Sequence, residues 1–260
     1  MNTSTDTQQL IPFKILLIGD SCTDEYYIGT CDRLSPEAPV PVIKIVDHYK
    51  TAGMAANVQE NLSKLGCDVT MVGNKESITK TRYIDKRSGQ HLLRVDNEFE
   101  IKPWDRKVPG HWSDFHAVVI SDYNKGFIKE EHIEMIIRDS QLPVFVDTKK
   151  RDLHKFYGSY LKINESEYNN RWSNSDRMIV TLGGGGAMYL EHENKKMFSG
   201  NPAEVVDVCG CGDTFLAALT YQYLVTKNIE DAIMFANRAG SVTVQHRGNY
   251  APTLEEINNA

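Results

Sequence analysis

From His116 onward the chain alternates two kinds of apolar pattern. "HAVVISD", "PVFVD" and "SYLKIN" are short apolar runs that end in polar residues, and "KEEHIEMIIRD", between the first two, repeats its apolar residues at helical spacing. "ESEYNN" opens a short helical stretch, and "RMIVTLGGGGAMYL" reads as a strand, a glycine turn and a second strand. Helices over 214–226 and 230–245 close the chain. Buried strands in alternation with helices form a mostly parallel sheet covered on both faces. The expected class is therefore α/β. "FKILLIGD" (13–20) supplies the buried first strand, "GMAANVQENLSKLG" a helix stopped by Gly66, and "CDVTMVG" a second core strand.

Two stretches do not fit that alternation. "RLSPEAPVPVIKIV" places three prolines within six residues, which a central strand cannot accept because each removes a ladder donor. It reads as an edge strand. "ITKTRYIDKRSGQHLLRVD" reads as a hairpin with one wet face around "RSGQ". Together they predict a small β flap, with strands over about 24–50 and 77–97. No linker or repeat separates domains. The expectation is one domain over 13–260 behind a flexible polar leader, 1–12.

A net charge of −6 argues against a nucleic-acid partner, and no apolar run approaches a membrane span. Five cysteines, an odd number without framework spacing, read as reduced thiols of a cytoplasmic protein. Cys209 and Cys211 lack the partner pair that a zinc site needs.

In open α/β sheets, ligands bind outside the carboxyl ends of the strands. Here those ends carry Asp20, Asp24, Ser121-Asp122-Tyr123, Asp147-Thr148-Lys149, Asn164, Glu167 and glycines 183–186. "DVCGCGDTF" (207–215) then sets Gly-Cys-Gly-Asp ahead of an apolar helix. Glycines at a helix N-terminus let N–H groups point at an anion, which the helix dipole also favours. Gly210, Cys211 and Gly212 can cradle a phosphoryl group while Asp213 accepts a proton. Equally, Asp213 can be an N-cap and the glycines a tight turn. Spacing alone leaves both open.

The same stretch resembles the D-x-x-G-A-G-D signature of the ribokinase-like (PfkB) carbohydrate kinases, with Cys211 in place of alanine. "AGMAANV", "NESE", "TLGGGG" and "FANRAG" are similar to further elements of that family, in its order. "RLSPEAPVPV" and "SDYNKG" resemble the kinase domain of bifunctional heptose-7-phosphate kinase/adenylyltransferases; the nucleotidyltransferase half is absent. The resemblance implies a ribokinase-like three-layer sandwich with a β lid, and an ATP-dependent, Mg²⁺-dependent kinase acting on a sugar or sugar phosphate. It makes Asp213 the base and Gly210, Cys211 and Gly212 the anion hole. Asp24, Gly53 and Asn57 would hold sugar hydroxyls, and Arg33 and Lys125 the sugar phosphate; both cations read equally as solvated surface. Asn164 and Glu167 would orient magnesium through its waters. Lys149, Thr181, Gly183, Gly186 and Asn237 would bind the nucleotide. The resemblance also favours a homodimer through the flap.

Two departures qualify the resemblance. Ala52, Gly53 and Met54 stand where the family pairs glycines, which restricts the hinge. The chain also passes directly from Val72-Gly73 to Ile78, so at least one βα element is missing and the sheet edge should be trimmed. These departures motivate a second reading, a non-catalytic sugar- or nucleotide-binding relative. A dinucleotide oxidoreductase is set aside, because "ILLIGD" is not followed by G-x-G-x-x-G.

Overall fold

The computed structural model describes residues 12–260. The expected leader, 1–12, lies outside them apart from Pro12. The central sheet has six parallel strands: β1 (Lys14–Gly19), β4 (Asp68–Gly73), β7 (Ala117–Asp122), β8 (Val144–Thr148), β9 (Tyr160–Asn164) and β10 (Arg177–Thr181). Antiparallel β11 (Ala187–Glu191) and β12 (Asn194–Phe198) extend one side. The spatial order is β12-β11-β10-β9-β8-β7-β1-β4.

Alternation within β1 shows why this sheet is sandwiched. Ile15 and Leu17 face a core shared with α1 (Ala55–Lys64), α4 (Cys211–Thr226) and α5 (Ile229–Thr243). Leu16 and Ile18 face the opposite core, which includes Ile133 and Ile136 of α2 (Glu130–Ser140). All four are fully buried, as expected of a parallel sheet covered on both sides. Two short helices, α3 (Glu165–Asn169) and α6 (Leu254–Asn258), complete the set. The α/β three-layer architecture expected from the sequence is the one observed.

A second sheet of four strands, ordered β3-β2-β5-β6, is the flap. Its strands are β2 (Ser21–Leu34), β3 (Pro41–Met54), β5 (Thr79–Asp85) and β6 (His91–Asn97). Pro36 and Pro39 fall in the bend between β2 and β3, and Pro41 opens β3, an edge strand; none of them interrupts a central ladder.

β4 is the outermost strand and is only half-buried. From its end the chain crosses into β5 of the flap, so no long parallel crossover is required. Asn74 seals this passage: its Oδ1 accepts from the Ser21 N–H (2.6 Å), and its Nδ2 donates to the carbonyls of Ser21 (3.2 Å) and Glu76 (2.6 Å).

Candidate active site

The carboxyl ends of β1, β7, β8, β9 and β10 converge on the N-terminus of α4. That helix begins at Cys211, three residues earlier than its periodicity suggests, because Gly210 adopts the left-handed region (φ 72°) and turns the chain into it. No side chain caps it; the Cys211 N–H turns back to the Val208 carbonyl (3.4 Å), and the N–H groups of Gly212 and Asp213 remain available to an anion. Upstream, Asp207 fixes the approach by accepting from the N–H groups of Cys209 (3.0 Å) and Gly248 (2.9 Å). Burial pushes the Cys211 thiol up to about 12, so it stays protonated.

Asp213 is not the cap. Its carboxylate turns away from the helix and is 5% exposed. Oδ2 accepts from Asn57 Nδ2 (2.9 Å) and Oδ1 from the Tyr123 hydroxyl (2.8 Å). Burial pushes its pKa up to about 6; Asp147 adds to the rise, while Asn57, Tyr123 and Lys162 oppose it. Such a group exchanges protons near neutrality. Lys162 lies close by, buried, with Nζ 2.7 Å from Asp147 Oδ2. A Cβ on Gly212 would stand 2.8 Å from that ammonium, and one on Gly210 2.8 Å from Asn57 Nδ2. Both glycines are therefore needed for close approach as well as for the turn.

Thr181, Gly183, Gly186 and Asn237 line one cleft of about 360 Å³, together with Cys211 and Gly212. Its walls include Pro202, Val205, Val208, Phe215 and Val244, an apolar lining with few polar groups that suits a flat heterocycle. Gly186 (φ 91°) is packed so tightly that a Cβ would meet the Phe198 carbonyl at 2.1 Å. Asn237 donates to the Ser199 carbonyl (3.2 Å), which ties α5 to this wall.

Asn164 and Glu167 cap α3 reciprocally, Glu167 N–H to Asn164 Oδ1 and Asn164 N–H to Glu167 Oε2, each at 2.8 Å. Lys149 Nζ donates to Glu167 Oε1. Among the described residues no group of three or more His, Cys, Asp or Glu side chains could hold a metal directly. The hard oxygens of Asn164 and Glu167 fit a magnesium ion that keeps most of its waters.

On the flap side, Asp24 is buried, with Oδ1 receiving Arg82 (2.6 Å) and Oδ2 receiving Asn249 (3.2 Å). A Cβ on Gly53 would lie 2.3 Å from Asp24 Oδ2. Asn57 is turned to Asp213. Met54 is buried at φ 56°, a conformation that glycine adopts far more readily. Lys125 lies near this side, paired with Glu98 (2.6 Å). Arg33 is not brought here: it is exposed and nine residues along β2 from Asp24, about 30 Å at strand rise. Lys162, Arg82 and Asn249 were not among the expected site residues, and Tyr123 was expected only as one of the residues at a strand end, without a role. Lys162 had a legible signal, a lysine inside a core strand.

An α/β sandwich with a β lid, a glycine turn and an open helix N-terminus beside a buried carboxylate is the arrangement of the ribokinase-like fold. A model of the pfkB family carbohydrate kinases matches residues 144–256, the part of the chain that carries the glycine turn and α4. It is 31% identical to bifunctional protein HldE of Nitratiruptor over 94% of this chain and 64% of that protein; the chain thus spans somewhat less than two thirds of that relative. Their alignment covers 302 positions against 260 residues here, so at least 42 positions are gaps in this chain, in keeping with the missing element. The D-beta-D-heptose 7-phosphate kinase of Bordetella bronchiseptica is 29% identical over 94% of this chain and 95% of that protein. Arabidopsis thaliana ribokinase, solved with ribose and ATP, superposes with a TM-score of 0.71 over 96% of this chain and 98% of its own, a likeness of fold at 16% identity.

Proposed function

We propose that the chain transfers the γ-phosphoryl group of ATP to a hydroxyl of a heptose phosphate or related sugar, with Asp213 as general base. The observation that carries this reading is the juxtaposition of Asp213, held by Asn57 and Tyr123, with an uncapped helix N-terminus that lines the same cleft as the glycine turn. In the reading, the acceptor hydroxyl gives its proton to Asp213 and attacks phosphorus. The main-chain N–H groups of Gly212 and Asp213, following the Gly210-Cys211 turn, hold charge on the transferring oxygens. Thr181, Gly183, Gly186 and Asn237 seat the nucleotide, and Lys149 faces its phosphates. Bound magnesium would offset phosphate charge, held through water by Asn164 and Glu167.

Asp24 binds sugar hydroxyls from a bed made by Arg82, Asn249 and Gly53. For the sugar phosphate, Lys125 is kept and Lys80 of β5 takes the place of Arg33; its ammonium is 5.4 Å from the Tyr123 ring centroid. The relative named as a heptose 7-phosphate kinase supports this substrate class. Two copies pair through the flap, in a cytoplasmic setting. The alternative, a non-catalytic binding protein, draws on Met54 at positive φ and on the missing element.

ADP release with Mg-ATP across phosphorylated heptoses and hexoses, run beside Asp213→Asn, separates the two. Turnover on one sugar class, reduced by about 10²–10⁴-fold in the variant, is expected. ATP binding without turnover on any sugar would favour the alternative.

A further inference from the structure

Tyr123 lies one residue past β7 on a loop that is held unusually firmly. Its N–H donates to Asp20 Oδ2 (2.8 Å), as does the N–H of Lys125 (3.2 Å). Asn124, at φ 56°, donates its N–H to Asp122 Oδ1 (2.9 Å). Asp20 and Asp122 are both buried, so two carboxylates inside the sheet end fix a loop of three residues. From that loop the phenol reaches Asp213 Oδ1 at 2.8 Å. Its ring stands between two cations, Lys80 of the flap and Lys149 on the nucleotide side, each with Nζ 5.4 Å from the centroid.

We infer that Tyr123 is a positioning residue for Asp213: it holds one carboxylate oxygen in place and favours the anion that must receive the acceptor's proton. Its catalytic consequence rests on the proposed kinase reading; its contact with Asp213 does not. Each carboxylate oxygen has two lone-pair sites. With Tyr123 on Oδ1 and Asn57 on Oδ2, the carboxylate cannot rotate, yet keeps capacity for one more proton.

In the transfer, the acceptor O–H breaks and its proton goes to Asp213. The oxygen lone pair forms the new O–P bond, and ADP leaves with the electrons of the old one. Tyr123 keeps its own proton throughout. Burial, together with Asp213 and Asp147, holds its ionisation well above the usual phenol range. Other groups also face Asp213: Asp147 on β8, Lys162 on β9, Lys149 after β8, Cys22 on β2 and Cys211 on its own helix. Of these, Asp147 disfavours the anion and Lys162 favours it. None of them donates a hydrogen bond to Asp213; Tyr123 and Asn57 do.

The test uses the full chain with aspartate carboxyl carbons labelled with ¹³C, and Asp213 assigned by its loss in Asp213→Asn. In Tyr123→Phe the Asp213 titration midpoint should rise by about one pH unit, the scale of a hydrogen bond to a charged group. The acid limb of kcat/KM should move up equally, and kcat should fall about tenfold, with KM for Mg-ATP unchanged. Fluorotyrosine at position 123 keeps the shape and is a stronger donor; it should move the midpoint down, and it serves if the phenylalanine variant fails to fold. A midpoint unmoved by either replacement overturns the inference. If the unaltered protein turns over no sugar, the kinase reading fails, while the carboxyl titration still decides the role of Tyr123.

Discussion

Asp213 is stable where it sits only at some expense to the fold. An ordinary aspartate ionises near 3.8, and burial moves this one to about 6. The sign follows from linkage: a carboxyl whose folded pKa is raised contributes fully below about pH 4, and that contribution is lost as pH rises through about 6. A charge held in this way marks a functional position more often than a structural one. Asp213→Asn removes the ionisation. Whatever the stability difference between variant and parent at pH 4.5, it should shift in the variant's favour by roughly 1–3 kcal/mol at pH 7.5. Urea melts at the two pH values measure this, and a difference that does not change with pH would mean that the folded and unfolded pKa values are close. If the proposed transfer is the reaction, the same group should give a rate that climbs with pH through about 6, since a base works only when ionised.

Among the elements, the passage from β4 to β5 shows how a shortened chain keeps its polar groups paired. Asn74 alone makes three of the bonds there, to main-chain groups that would otherwise sit part-buried and unsatisfied. Asn74→Ala should destabilise the protein by about 1–3 kcal/mol, measurable by thermal or urea unfolding; a loss below about 0.5 kcal/mol would mean that water replaces the side chain. Elements with a strong period were legible in the sequence: β1, β7, α2, β8 and the closing helices. β12 was not, because "NKKMF" is an exposed, lysine-bearing strand without alternation. Nor was α6, which is five residues long and rests on the reciprocal caps of Thr253 and Glu256. The residues of the glycine turn and the anion cradle were legible because each motif is contiguous. Arg82, Asn249 and the pairing of Tyr123 with Asp213 were not, since the partners lie 58, 225 and 90 residues away. Arg33 could not be placed beforehand because only the continuity of β2 over Ser21–Leu34 sets it nine residues along one strand from Asp24.

For the molecule as a whole, the flap has two unlike faces. Asp24, Tyr26 and Arg82 point toward the site and are buried. On the opposite face Tyr27 stacks on Tyr83 (5.3 Å) and on His48 (4.2 Å). Leu93 and Val95, whose cross-strand partners are Tyr83 and Thr81, share that face at 56% and 44% exposure. A β-sheet face of aromatic and aliphatic side chains is costly to leave in water and self-complementary under two-fold symmetry. This supports the proposed homodimer, in which each flap covers the other. The same contact would hold the lids in register over both sites, which links the assembly to the chemistry. Sedimentation velocity across micromolar concentrations should show a dimer, and Leu93→Glu combined with Val95→Glu should leave a folded monomer, because like charges would then meet across the two-fold axis. A parent chain that sediments as a monomer throughout would rule the flap dimer out; a dimer that survives the double substitution would place its interface elsewhere on the molecule.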